Sequence, residues 1–211
     1  PIISRHGLLT TAACDSRGNL CYALEGSIFV AGAAIQWLRD ALGIIEDASV
    51  SGTMAASLDS NDGVYFVPAF VGLGTPRWSP NSRGAILGIT GGTQREHLVR
   101  AALEAMAYGT VEVLKAMEQD SLTSIKELRV DGGASMNNWL MEFQSSLLDV
   151  PVRRPQVVET TAFGAAGLAG IYAGVWADGE EFIACQGDPD RFSVSLDEDK
   201  RNKLIENWTR A

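Results

Sequence analysis

The chain has 211 residues, 46% of them apolar and 20% charged, enough for one domain with a sizeable core. Its formal charge of −9 argues against a nucleic-acid or anionic-membrane partner, and no run approaches about 20 apolar residues, so no transmembrane helix is read. Three cysteines without a Cys-x-x-Cys pair and only two histidines give no zinc pattern, and the odd cysteine count fits a reducing cytoplasm.

The chain opens at Pro1-Ile2-Ile3, without methionine and without a basic-then-apolar leader, which predicts a start inside a longer protein. An apolar, Thr-rich run over 8–13 and a second over 21–24 flank Asp15-Ser16-Arg17-Gly18-Asn19, predicting a β-hairpin. A turn centred on Arg17 and Gly18 sets Cys14 opposite Cys21 as a pair of small reduced core thiols. Gly26 and Ser27 open a helix whose Ala33, Ala34, Trp37, Leu38, Ala41 and Leu42 fall at helical spacing, and a short helix follows near 47–58. A strand over 64–70 is interrupted by Pro68, a loop rich in Gly, Pro and Asn fills 72–82, and 84–89 reads as a short buried strand.

The longest helix begins at Thr93, with Glu96 three residues on as a capping box, and runs to about Met117. Leu98, Ala101, Ala102, Ala105, Tyr108, Val111 and Leu114 form its apolar stripe. A strand over 127–130 ends in Asp131-Gly132-Gly133, a helix follows over 137–148, and a strand over 150–153 comes next. Thr160 or Thr161 caps a helix so rich in Ala and Gly that a second helix backbone can approach it closely. The tail over 177–190 reads as acidic and irregular, and 196–208 as a final amphipathic helix. Strands alternating with helices give an α/β architecture with a mixed sheet: one domain over 1–211, its tail over 177–211 a helical appendage.

Four residues stand out as binding candidates. Asp131-Gly132-Gly133 turns a strand directly into a helix, leaving backbone N–H groups uncovered for a phosphate or ribose. Asn137 sits in the following first turn, where its amide can both donate and accept. Gly32 and Gln36, four apart, share one helix face: the glycine opens room and the glutamine supplies an amide edge for a base. The cluster is neither a Walker A loop nor a Gly-x-Gly-x-x-Gly dinucleotide pattern. Each of these also has a plain reading as a tight turn or a solvated side chain. No catalytic constellation appears: His97 reads as an exposed or capping residue, Asp188 lies in an unsupported loop, and Trp37, Trp139 and Trp176 read as core. Pro76-Arg77-Trp78 is either packed within its loop or a contact to another domain or subunit.

Several strings together resemble the FGGY sugar kinases, and the glycerol kinases among them. Gly84-Ala85-Ile86-Leu87-Gly88-Ile89, then seven residues, then His97-Leu98-x-x-Ala101-Ala102-Leu103-Glu104, is similar to that family's second signature. Leu8-Leu9-Thr10-Thr11, Tyr22-Ala23-Leu24-Glu25-Gly26, Gln36-Trp37-Leu38-Arg39-Asp40, Val67-Pro68-Ala69-Phe70-x-Gly72-Leu73-Gly74 and Arg129-Val130-Asp131-Gly132-Gly133 add to it. The resemblance runs from about Gly7 to Tyr172 and fades beyond Ala177, and Thr75-Pro76-Arg77-Trp78 departs from the family's aromatic-rich version. It implies an actin-like, ribonuclease-H-like ATPase domain: the C-terminal, nucleotide-binding domain of a kinase that moves the γ-phosphate of ATP to glycerol with magnesium. It implies that Gly32, Gln36, Gly133 and Asn137 contact ATP or ADP. It also implies that the aspartate base, the phosphate loop and most glycerol contacts lie in an N-terminal domain absent from this chain, so that the chain alone is inactive. Another sugar kinase of the family, or a non-catalytic actin-like module, are the competing readings, and homo-oligomer formation is left open.

Overall fold

The computed structural model describes residues 3–14 and 18–211. Strands β1 (Leu9–Cys14) and β2 (Leu20–Glu25) form the expected antiparallel hairpin, but Cys14 faces Leu20 and Ala13 faces Cys21. The register is one residue away from the predicted one. Because side chains alternate across a strand, that single step puts the two thiols on opposite faces of the ribbon. Both cysteines are free, and Cys14 is exposed rather than core. The expected turn residue Arg17, with Asp15 and Ser16, lies outside the described residues.

Helix α1 spans Ala33–Asp40 rather than opening at Gly26. Residue 27 is committed elsewhere: the Thr75 N–H donates to the Ser27 carbonyl at 2.9 Å, and the Ser27 N–H donates to the Thr75 hydroxyl at 3.0 Å. A single 3-10 turn, Ala48–Val50, capped by Asp47, leads into α2 (Ser51–Ala56). Strand β3 (Tyr65–Val67) stops before Pro68, which cannot donate to a ladder. It pairs with β4 (Ala85–Leu87), which is more exposed than predicted: in a two-stranded ribbon Ala85 and Leu87 face outward.

Helix α3 (Arg95–Ser121) is the spine. Its N-cap is Gln94, whose box partner is His97 rather than the predicted Thr93 and Glu96. The Thr93 hydroxyl instead accepts the Thr90 N–H at 2.9 Å, and Glu96 pairs with Arg95. His97 does cap, and it is buried. The predicted stripe holds in its centre: Ala101, Ala102, Ala105, Tyr108 and Val111 are buried, and all but Ala105 share one core cluster with Ala34 and Leu38 of α1, Ala55 of α2 and Phe66 of β3.

Strands β5 (Leu128–Arg129), β6 (Val152–Arg154) and β7 (Asp190–Phe192) make a mixed sheet, β5 parallel and β7 antiparallel to the central β6. Helix α4 (Asn138–Leu148) links β5 to β6 and buries Leu140, Met141 and Leu147 against the core. Helix α5 (Thr160–Tyr172) has Glu159 at its N-cap position, with no side-chain cap, in place of the predicted threonine. Its small residues seat rings, not a second helix backbone. A Cβ at Gly167 would lie 2.2 Å from the Phe182 ring, and one at Gly170 would lie 2.0 Å from the Trp176 ring.

The tail predicted to be irregular contains helix α6 (Gly179–Ala184) and β7, followed by helix α7 (Glu198–Arg210). Trp208 of α7 stacks on the buried Tyr108 ring, centroids 5.1 Å apart, so the tail packs on the same core as α3. Trp78, half exposed, donates from Nε1 to the Gly7 carbonyl at 2.6 Å and meets Phe29 edge-on, while Arg77 pairs with Glu112. Within this chain that segment packs as a loop. Among the described residues, no helix is long and apolar enough to cross a membrane.

Candidate functional site

A cavity of about 640 Å³ opens where α1, the start of α2 and the strand-to-helix turn after β5 converge. Gly32 and Gln36 line one wall, and Gly133 and Asn137 the facing one. Ile35, Leu103, Met106 and Leu140 supply an apolar floor. The structure therefore brings all four sequence-predicted residues to one place, although about one hundred positions separate the two pairs.

The facing wall follows from local chemistry. Gly132 adopts φ +74°, a left-handed conformation that turns the chain sharply out of β5. A single 3-10 turn, Gly133–Met136, follows, closed by the Ser135 hydroxyl donating to the Gly132 carbonyl at 2.7 Å. Gly133 has an ordinary φ, and a Cβ placed on it would meet nothing within 4 Å. The backbone is thus open toward the cavity and can be approached closely by a ligand.

Asn137 serves the fold first. Its Oδ1 accepts the Leu140 N–H at 3.0 Å as the N-cap of α4. Its Nδ2 donates to the Ser51 hydroxyl at 3.1 Å, and that hydroxyl donates to the Ala48 carbonyl at 2.6 Å. One amide hydrogen of Asn137 remains for a ligand. The amide lies flat against α2 because residue 52 is glycine: a Cβ there would sit 2.8 Å from Asn137 Oδ1. Gln36 lines the cavity, is exposed, and its amide makes no hydrogen bond among the described residues.

Among the described residues, Asp131 is the cavity's lone carboxylate and no basic residue lines the cavity. The Thr160 hydroxyl donates to Asp131, which ties the start of α5 to the end of β5. A second cavity of about 790 Å³ lies on the other side of Asp131, floored by Phe163 and Phe182, which stack 4.2 Å apart.

Sequence reasoning missed two supports. Ser51 has no motif around it. Arg154, only 8% exposed, holds the turn from the side away from the cavity: Nη1 donates to the Ser135 carbonyl at 2.7 Å and to Asn138 Oδ1 at 2.9 Å. Nothing local in Arg153-Arg154-Pro155 tells which arginine points inward.

Behind the floor runs a buried ion pair. Arg100 Nε donates to Glu104 at 2.8 Å, Asn61 donates to the same carboxylate at 2.8 Å, and Arg100 Nη1 reaches the carbonyls of Ala55 and Leu58 at the end of α2. Burial pushes the Glu104 carboxyl upward, opposed by Arg100 and Asn61.

A family model described as "FGGY family of carbohydrate kinases, C-terminal domain" matches residues 1–173. Glycerol kinase of Bacillus subtilis (strain 168) is 58% identical over 211 residues, all of this chain. Glycerol kinase of Thermus thermophilus is 55% identical over 210 residues. The chain spans 42% of the length of each. Among solved structures, Plasmodium falciparum glycerol kinase with ADP superposes with a TM-score of 0.86 at 33% identity, over 99% of this chain and 42% of that one. Xylulose kinase from Lactobacillus acidophilus, ligand-bound, superposes with a TM-score of 0.80 at 17% identity, over all of this chain and 42% of that one, a likeness of fold alone.

Proposed function

The chain belongs to the FGGY family of carbohydrate kinases, as its C-terminal domain, with that family's actin-like, ribonuclease-H-like α/β fold, and from that premise we propose that it is the nucleotide-binding half of a cytoplasmic kinase that transfers the γ-phosphate of ATP to glycerol, giving glycerol 3-phosphate. The observation that carries this reading is the convergence of Gly32, Gln36, Gly133 and Asn137 on one open cavity. The glycerol kinases that match 99–100% of the chain at 54–58% identity support glycerol as the acceptor.

In this reading Gln36 offers its amide edge to the adenine beside Gly32, and the apolar floor takes the face of the base. Gly133 admits the sugar and phosphates to the backbone, and Asn137 fixes that wall while its spare amide hydrogen meets the ligand. Bound ATP supplies the phosphoryl group, and the residues here bind and orient it. The acidic chain can do this without lysines, because uncovered backbone N–H groups recognise phosphate.

Magnesium fits this chain's residues poorly. Among the described residues, no group of three or more His, Cys, Asp or Glu could hold a metal ion, and Asp131 is already engaged by Thr160. We place the base that takes the glycerol proton, and the glycerol contacts, in the part of the longer protein that this chain does not span. Closure of that part over the cavity would expel water from the transferring phosphate.

Two measurements test the reading. Calorimetric titration of the 211-residue chain with magnesium-ADP is expected to show one saturable site, and its absence would sink the nucleotide assignment. Fused to the N-terminal portion of the Bacillus subtilis relative, the chain is expected to support glycerol 3-phosphate formation. A folded chimera that binds magnesium-ADP but leaves glycerol unphosphorylated would refute the reading of this chain as the other half of a glycerol kinase.

A further inference from the structure

We infer that Arg154 is a positioning residue for the nucleotide-facing turn, and that the C-terminal strand β7 aims it through Asp190. This inference rests on the nucleotide reading above. Arg154 does not line the cavity and touches no ligand position. Its planar fork has two working edges. One edge donates from Nη1 to the Ser135 carbonyl and to Asn138 Oδ1, at 2.7 and 2.9 Å. The other donates from Nη2 and Nε to a single oxygen of Asp190, at 2.7 and 3.2 Å. The guanidinium carbon lies 5.0 Å over the Phe192 ring, two residues further along β7.

The turn is so short that its parts move together. Ser135 donates from both its N–H and its hydroxyl to the Gly132 carbonyl, at 3.1 and 2.7 Å. A shift of the Ser135 carbonyl therefore carries Gly133 and Ala134, which do line the cavity. Asp190 is itself oriented: Gln156 Nε2 donates to its second oxygen at 3.2 Å and to the Asp188 carbonyl at 2.9 Å. The arginine stays charged and five-donor under all ordinary conditions, so the clamp is geometric rather than titrating. Asp190 lies beyond residue 173, where the family-model match ends, so a segment outside the matched region reaches the site through a single side chain.

The test compares the 211-residue chain with Arg154→Lys, Asp190→Asn and the double variant. Lysine keeps the charge but offers a point donor in place of the fork. The Asp190 side chain is nearly half exposed, so Asp190→Asn strands no deeply buried charge. The readouts are magnesium-ADP affinity by calorimetry, backbone amide shifts over 132–138, and the thermal midpoint. Each single variant is expected to weaken ADP about tenfold, the size of one charge-assisted hydrogen bond. Amide shifts should concentrate in the turn, and the double variant should be no weaker than the worse single, since both act through one contact. An affinity unchanged in both single variants would overturn the clamp, and so would losses that simply multiply in the double. A parent chain with no saturable site overturns the clamp together with the nucleotide reading, whereas a binding parent with indifferent variants overturns the clamp alone.

Discussion

Replacing Gly133 by valine separates the fold from the site more cleanly than any other single change. A Cβ at residue 133 meets nothing within 4 Å, and the φ there is ordinary. The substitution therefore adds a Cβ that meets no steric barrier. Its effect on stability is the difference in backbone freedom, less than about 1 kcal/mol in either direction. Residue 133 lines the cavity, so a branched side chain there is expected to keep a phosphate or ribose from the backbone. Losing one hydrogen bond to a charged group costs about 1.5–3 kcal/mol, so magnesium-ADP should bind about 10- to 150-fold more weakly. Calorimetry gives the affinity and a thermal melt gives the control. An unchanged dissociation constant with an unchanged melt would refute the argument that the ligand needs close approach at Gly133.

Asn137→Ala should both destabilise and weaken binding: loss of the α4 cap costs about 1 kcal/mol, and the freed Ser51 contact loosens the wall, as a melt and a titration on one preparation will show. Arg100→Met leaves Glu104 buried with Asn61 as its remaining close donor and should cost about 3–5 kcal/mol, much of it restored by adding Glu104→Met, because the pair must first offset its own desolvation; chemical denaturation of both variants decides this. Near the N-terminus, the Ser4 hydroxyl, the Arg5 N–H and His6 hold Asp120 down at about 2. A depressed carboxyl contributes stability that is present above its unfolded value near 3.8 and lost as pH falls toward 2. Asp120→Asn should therefore flatten the acid limb of the stability curve between roughly pH 4 and 2, and an identical acid titration in both proteins would contradict the latch.

Much of this protein was legible along the chain because the signals were local. The stripe of α3 follows from 3.6-residue periodicity, the turn after β5 from two adjacent glycines, and the shared face of Gly32 and Gln36 from their spacing of four. These features were enough to name the four candidate residues. Their meeting around one cavity was decided by packing: α1 and α4 both lie against α3, which brings Gly32 and Gly133 to facing walls. Finer features went the other way. The hairpin register turned on one residue of loop length, which reverses the faces of Cys14 and Cys21. The cap of α3 went to Gln94 because Thr93 found a partner in the preceding turn.

What sequence could not carry at all were the long-range partners. Nothing near Arg154 indicates Asp190, thirty-six positions away, and nothing in the sequence beyond residue 177 indicates that this stretch supplies the third strand of the sheet and a ring for Tyr108. Periodicity and propensity act over one or two turns of chain, and they marked most of the helices and strands and the four residues proposed to meet a nucleotide. Burial of a charged or aromatic side chain is settled by which distant group can satisfy it, and only the tertiary structure made that choice.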